Sequence, residues 1–191
     1  DRYIHADLHG AASGIMKLKA GFIKDEHPPS NLPEGVPALR LVDDLGIEEF
    51  SEEAQTQAAS LALAWSRAWN AGRAGGAVFW VKPGQVSKSA ETGEFVGKGS
   101  FVIRGKRNWM RDVPLELALG LVCINGVPLL MCGTVNSVSA ICQRWAIITP
   151  GREKKEKLAN RIAKATGLTT DDILPVIPGQ SEIAEDHGLI K

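Results

Sequence analysis

LALGLVCINGVPLLM, residues 117–131, decides the fold class. Two apolar runs, 117–124 and 127–131, flank Asn125-Gly126, the dipeptide that most favours a two-residue turn with φ positive at both positions. Such a turn makes the runs an antiparallel hairpin. Its register pairs Ile124 with Val127 and Cys123 with Pro128, and sets Cys132 opposite Leu119, so no cross-strand disulfide fits. Pro128 lacks an amide donor, which places its strand at a sheet edge.

Upstream of the hairpin, GGAVFWVK at 75–82 reads as a buried strand rich in branched and aromatic residues. Residues 51–71 read as one helix, with Ser51 as N-cap, Glu52 and Glu53 in the first turn, and Gly72 as the stop. Its apolar row is Ala54, Ala58, Leu61, Trp65, Ala68 and Trp69, with both tryptophans expected as core anchors. Residues 2–8 alternate as a strand, and after Gly10 a short helical stretch is expected to about Lys24. Pro28, Pro29, Pro33 and Pro37 make 25–38 a loop. Residues 83–97 read as a polar loop and 100–104 as a strand. Downstream, 137–142 reads as a short helix and 144–149 as a strand. Residues 152–166 form a basic amphipathic helix with Leu158, Ile162 and Ala165 on one side. DDILPVIPGQSE at 171–182 reads as a last helical turn and an extended tail. Helices and antiparallel strands are mixed rather than strictly alternating, which defines an α+β fold. We expect a mixed, mainly antiparallel sheet on a long Ala/Trp-rich helix, with a C-terminal hairpin and a basic helix. Residues 1–150 would form the main domain, and 151–191 a basic helix and tail packed on it.

The chain has 191 residues, 44% of them hydrophobic and 23% charged, which excludes disordered, collagen-like and disulfide-scaffold classes. Cys123, Cys132 and Cys142 are too few and too spread for a zinc site, and read as reduced core thiols of an intracellular protein. No apolar run approaches the roughly 18 residues of a membrane helix. The opening DRYIHADLHG is too polar for a signal peptide. The chain starts on Asp1 rather than methionine, within what reads as a structured element, so we expect a piece of a larger cytoplasmic protein. The 22 basic and 22 acidic residues balance but are not mixed. Residues 25–53 hold nine acidic residues and one basic, residues 82–111 seven basic and two acidic, and residues 152–164 six basic and two acidic. In the middle run the cations alternate with glycines, hydroxyls, Phe101 and Trp109, a composition suited to phosphate contact.

Three constellations carry chemistry. In a strand, His5, Asp7 and His9 would project from one face, an arrangement that could hold zinc, manganese or iron with open positions. No further His or Cys cluster completes a site, so these residues read as polar anchors or RNA contacts, and no cofactor is expected. The 82–94 loop carries Lys82, Gln85, Ser87, Lys88 and Thr92 at the exit of a buried strand. It lacks the spacing of a nucleotide-binding P-loop, and its short hydroxyl and amide groups suit phosphate and ribose. Arg104, Lys106, Arg107, Asn108 and Trp109 then gather cations, an amide and a stacking ring at a strand end.

HADLHGA at 5–11, the helix ending AWSRAW at 58–69, FWVKPGQVSKSAETGEF at 79–95 and GSFVIRGKRNW at 99–109 together resemble the NFACT-R domain. That domain occurs in the NEMF/Caliban group of ribosome-quality-control factors and their fibronectin-binding-protein-A-like prokaryotic relatives. ITPGREKKEKLANRIAK at 148–164 and DILPVIPGQSEI at 172–183 are similar to the archaeal members. The resemblance implies a non-enzymatic RNA-binding role. Full-length relatives bind large ribosomal subunits obstructed by a stalled chain and recruit tRNA to extend that chain without a template. The implied partners are tRNA or large-subunit rRNA, the ribosome and other domains of the same protein, with no membrane. Residues that select the tRNA belong mainly to an N-terminal domain of the family that this chain lacks. The family also carries a strand-forming segment before HADLHG, whereas this chain opens almost on the motif. The first strand is therefore expected to be an uncovered sheet edge, open to homodimerisation. The alternatives are a metal-dependent RNA-processing enzyme using His5, Asp7 and His9, and a protein-interaction module whose basic loop meets an acidic partner or the chain's own acidic 25–53 segment.

Overall fold

In the computed structural model, which describes residues 1–97 and 99–191, Asn125 and Gly126 turn at φ 51° and 81° between β9 (Leu117–Ile124) and β10 (Val127–Gly133). Strands are numbered β1 to β12 and helices α1 to α5 along the chain. The hairpin register is the one read from the sequence, with Val127 opposite Ile124, Pro128 opposite Cys123 and Cys132 opposite Leu119. β10 pairs with β9 alone, so Pro128 occupies an edge where its missing donor leaves no ladder bond unmade. On its other side β9 meets β11 (Trp145–Glu153) along its first half and β4 (Ala38–Val42), in parallel, at its end. With β3 (Gly21–Lys24) and β12 (Ser181–His187) these form the larger sheet, ordered β12-β11-β9-β4-β3. β11 runs through residue 150, where the sequence reading divides the chain, and β12 pairs with it.

A second, four-stranded sheet is ordered β2-β1-β5-β8, with β1 at Arg2–Ala6, β2 at Ser13–Met16, β5 at Gly75–Val81 and β8 at Asn108–Pro114. α1 (Glu52–Ala64) lies on one face of it, and Ile4, Ala6 and Val78 share a core with Ala59, Ala62 and Leu63 of that helix. The same core reaches Leu117, Leu119 and Ile148 of the larger sheet. It also includes Leu158 and Ile162 of α4 (Lys155–Thr166) and Ile173 of α5 (Thr170–Ile173). A two-stranded ribbon, β6 (Val86–Ser87) with β7 (Val102–Ile103), rises from the face opposite α1.

The α+β class stands, and several expectations within it are corrected. Residues 11–24 form β2 and β3 rather than helix, because Gly14 and Gly21 weaken a helix and no cap precedes it. The 51–71 helix keeps its Ser51 cap, whose hydroxyl accepts from the Ala54 N–H at 3.0 Å, but breaks after Ala64. Ser66 caps a separate α2 (Arg67–Asn70), leaving Trp65 36% exposed while Trp69 is buried. Trp69 donates its indole N–H to the Gln180 carbonyl and the Ser181 hydroxyl, at 3.0 and 3.1 Å, and so ties α2 to the start of β12. The 171–182 segment thus ends in a paired strand. β1 ends at Ala6 and is paired on both sides, by β2 and β5, so it is not an open edge. The outer strands of its sheet are β2 and β8. Lys98, counted in the central basic run, lies outside the described residues.

Candidate nucleic-acid interface

Alternation along β1 and β5 separates two sets of side chains. Ile4, Ala6 and Val78 turn to α1, whereas Tyr3, His5, Phe79 and Val81 take the opposite face. Pairing then assembles a row, because His5 sits opposite Ser13 on β2 and opposite Phe79 on β5, and Phe79 sits opposite Trp109 on β8. Ring centroids are 5.9 Å apart for His5 and Phe79 and 5.2 Å for Phe79 and Trp109. Tyr3 stacks on His5 at 6.1 Å, and Phe101 tilts against Tyr3 at 6.0 Å. Phe79 is buried beneath this layer, but Trp109 and Phe101 are 41% and 38% exposed. A four-stranded sheet with aromatic rings on its open face is a recurrent platform for unstacked bases.

Cations frame the rings. Arg107 lies over Phe79 at 5.3 Å, Lys88 over Phe101 at 5.5 Å and Arg111 over Trp109 at 5.7 Å. A guanidinium on an aromatic face stays charged and keeps hydrogen-bond donors for phosphate. Beside the row a cleft of about 580 Å³ opens among Tyr3, His5, Asp7, His9, Ser13 and Phe101. Its mouth is polar: the Tyr3 and Ser13 hydroxyls share a hydrogen bond of 2.8 Å, and His5 Nε2 lies 3.1 Å from the Ala11 carbonyl oxygen.

The expected site residues divide by environment. His5 belongs to the row. Asp7 and His9 follow the end of β1, so the three do not share a strand face, and both are exposed beside the cleft. Among the described residues no group of His, Cys, Asp or Glu is placed to hold a metal ion. Lys82, Lys88, Thr92, Lys106, Arg107 and Trp109 are exposed. Gln85 is a clamp: its carbonyl accepts from the Lys82 N–H, and its amide donates to the Arg104 and Lys106 carbonyls at 2.8 and 3.0 Å. Ser87 accepts from the Ser89 N–H at 3.0 Å, and Asn108 donates to the Trp80 carbonyl at 3.3 Å. Arg104 is held by Glu94 at 2.8 Å and lies 3.3 Å from Glu91. The hydrogen bond from Arg104, followed by the Glu91 N–H, holds the Glu94 carboxyl below its ordinary range, and Glu94 in turn raises the Arg104 guanidinium.

Sequence reasoning missed Phe79, Tyr3 and Arg111. Phe79 was assigned to a buried strand, yet alternation sets it on the face opposite Val78 and Trp80. β8 was not read at all, so the Phe79–Trp109 contact had no basis. A bulge, with Val78 opposite Met110 and Gly76 opposite Val113, accompanies Asp112 at φ 56° just beyond Arg111.

A β-sheet face carrying a row of rings that emerges at exposed Trp109, with cations over the rings that have no carboxylate partner among the described residues, has the form of an α+β nucleic-acid-binding module. The model of the NFACT protein RNA binding domain matches residues 1–105, more than half of the chain, and the chain belongs to that family. It is 34% identical over 189 residues to the archaeal Rqc2 homolog aRqcH of Methanocaldococcus jannaschii, covering 97% of this chain and 24% of that protein. It is 38% identical over 110 residues to the ribosome quality control complex subunit NEMF of Homo sapiens, covering 58% of this chain and 8% of that protein. A Drosophila melanogaster homolog of that subunit is 34% identical over 122 residues, 64% of this chain and 10% of its own length. The chain thus spans a quarter or less of these relatives. No solved structure matches it.

Proposed function

We propose that this chain binds unpaired RNA on the face of the β2-β1-β5-β8 sheet opposite α1, where Trp109 and Phe101 are exposed, as one part of a larger cytoplasmic protein acting in ribosome quality control. Its RNA would be tRNA or large-subunit rRNA at an obstructed subunit, held rather than cleaved. The observation that carries this reading is the row Ser13–His5–Phe79–Trp109, with Arg107 over Phe79, Arg111 over Trp109 and Lys88 over the neighbouring Phe101 ring. Exposed rings accept bases without reading their edges, and the cations meet the backbone. The names of the relatives support the ribosomal setting. No helix of the described residues is long and apolar enough to cross a membrane.

The test is fluorescence anisotropy with a labelled single strand and a duplex of equal length, across a salt series. We expect preference for the single strand. Trp109→Ala should weaken binding by about 1–3 kcal/mol, the value of one base–aromatic stack. Equal affinity of Trp109→Ala and the unaltered chain at every salt concentration would remove the sheet face from the interface. Crosslinking of the full-length parent, with the crosslinked bases sequenced, would identify the RNA.

A further inference from the structure

On the far side of the His5-to-Gly10 segment from the aromatic row lies a second group of cations that the reading above does not use. A cavity of about 250 Å³ is lined by Leu8, His9, Arg67, Ala68, Ala71 and Arg73. It borders the 580 Å³ cleft, because Leu8 and His9 line both. We propose that Arg67 and Arg73, with His9, form a phosphate-binding site for the RNA backbone, so that a strand lying on the sheet continues past the end of β1. This rests on the RNA reading of the sheet face.

Backbone geometry brings the two arginines together. Ser66 ends α1's last turn and caps α2, so Arg67 opens a helix of only a few residues. Gly72, at φ 63°, then reverses the chain, and the Arg73 N–H returns to the Ala68 carbonyl at 3.2 Å. Arg67 and Arg73 are thereby set at the two ends of one short turn, on either side of Ala68 and Ala71. Neither alanine has a side chain long enough to fill the space between them. Opposite stands the Leu8–Gly10 turn, where Gly10 adopts φ 74° and the Arg67 guanidinium lies 3.7 Å from where a Cβ would be.

What marks this cluster is two arginines on one cavity that has no carboxylate in its wall. Among the described residues, Arg104, Lys157 and Arg161 each have a carboxylate partner. Arg67 and Arg73 have none, neither donates a side-chain hydrogen bond among the described residues, and no carboxylate lines the cavity. Two guanidinium groups lining one cavity repel, and an anion bound between them relieves that repulsion. A phosphate diester suits it, since each planar fork presents parallel N–H donors to two of its oxygens. His9, exposed at the rim shared by both cavities, can add a third donor. The step from ring to phosphate fits a single strand, in which bases face the sheet while the backbone passes along one side.

The test has two arms on the intact chain. In the first, ¹⁵N spectra follow the arginine side-chain Nε–H signals during titration with inorganic pyrophosphate. Arg67 and Arg73 should shift along one saturating curve that Arg67→Ala abolishes. The absence of saturation overturns the site. In the second, single-stranded RNA binding is measured against salt for Arg67→Ala,Arg73→Ala. Each lost phosphate contact to a single strand removes roughly 0.7 from the slope of log K on log salt, so the double variant should lose about 1.4. The lysine pair Arg67→Lys,Arg73→Lys should regain most of that slope, because the charge is kept. Both arginines are exposed, so the fold should survive, with thermal unfolding as the control. If Trp109→Ala weakens RNA binding but the double alanine variant leaves affinity and slope unchanged, the sheet interface stands and this site falls. If the unaltered chain binds no RNA, the reading of the sheet fails, and the pyrophosphate curve alone decides whether the arginines form an anion site.

Discussion

Arg104 and Arg107 follow the same short strand, β7, and meet different partners. Arg104 gives both terminal nitrogens to Glu94, whereas Arg107 lies over Phe79 with no carboxylate partner among the described residues. An RNA phosphate reaching Arg104 must displace a carboxylate, while at Arg107 it meets an open cation. Arg107→Ala should therefore lower the salt slope by roughly 0.7 and Arg104→Ala by much less. Glu94→Gln should raise RNA affinity by releasing Arg104. Equal slopes for the two arginine variants would show that the Arg104–Glu94 pair opens on binding. The pair also has a direction in pH. Glu94 is held below its ordinary value of 4.5, so its contribution is present above that value and is lost as pH falls through the lowered one. The residue types of the site, His5, Lys88, Arg107 and Trp109, were legible in the sequence. Their division into free and compensated charges was not, because Glu91 and Glu94 reach Arg104 only through the folding of the 88–97 loop.

At the scale of elements, the legible parts are those in which one local signal decides the geometry. Asn125-Gly126 fixed the β9–β10 register, and Ser51 fixed the start of α1. β4 escaped because Ala38–Val42 is only five residues long and abuts the proline loop, and β8 because Asn108–Pro114 mixes Asn, Arg, Asp and Pro with its apolar residues; pairing with β9 and β5 makes them strands. β9 also depends on something the hairpin pattern does not show. A Cβ at Gly120 would stand 2.5 Å from Cys142 Sγ and 2.6 Å from a Val138 methyl, so this glycine lets α3 (Val135–Ile141) seat directly on the strand. Gly120→Ala should destabilise by about 1–3 kcal/mol through overpacking, lowering the midpoint of thermal unfolding by several degrees. An unchanged midpoint would mean that α3 slides freely on β9. The thiols packed here add a pH dependence. Burial pushes Cys132 up to about 12 and Cys142 up to about 11, from an ordinary 9.0. Unfolded thiols then lose protons from about pH 9, while the folded ones hold theirs. The unfolded state binds fewer protons in that window, so stability falls as pH rises from 9.0 toward 12 and is unaffected below it. Melting curves of Cys132→Val should show a shallower alkaline decline than those of the unaltered chain.

Across the whole molecule the formal charge is zero, so attraction to RNA must come from how the charge is distributed. The two basic runs differ in what they do with it. In the 152–164 run, Lys157 and Arg161 both turn to Glu153, at 4.0 and 2.6 Å. In the 82–111 run, Arg107 and Arg111 lie over Phe79 and Trp109 of the sheet, and Lys88 lies over Phe101 beside it. The acidic residues of the 25–53 segment lie in the connections before and after β4 and in the first turn of α1, and none of their carboxylates pairs with a lysine or arginine of the basic face among the described residues. Its charges therefore act on RNA only at long range. Long-range charge alters the rate of encounter, whereas the salt slope counts phosphates in contact. Asp43, Asp44, Glu48 and Glu49 are all exposed, so amide substitution at these four positions tests the distinction without disturbing the core. Stopped-flow association at low salt should be faster for the substituted chain, with the gain vanishing as the screening length falls to about 8 Å at physiological ionic strength. The slope of log K on log salt should stay the same. A changed slope would mean that the acidic segment itself lies in the interface, competing with RNA for the basic face.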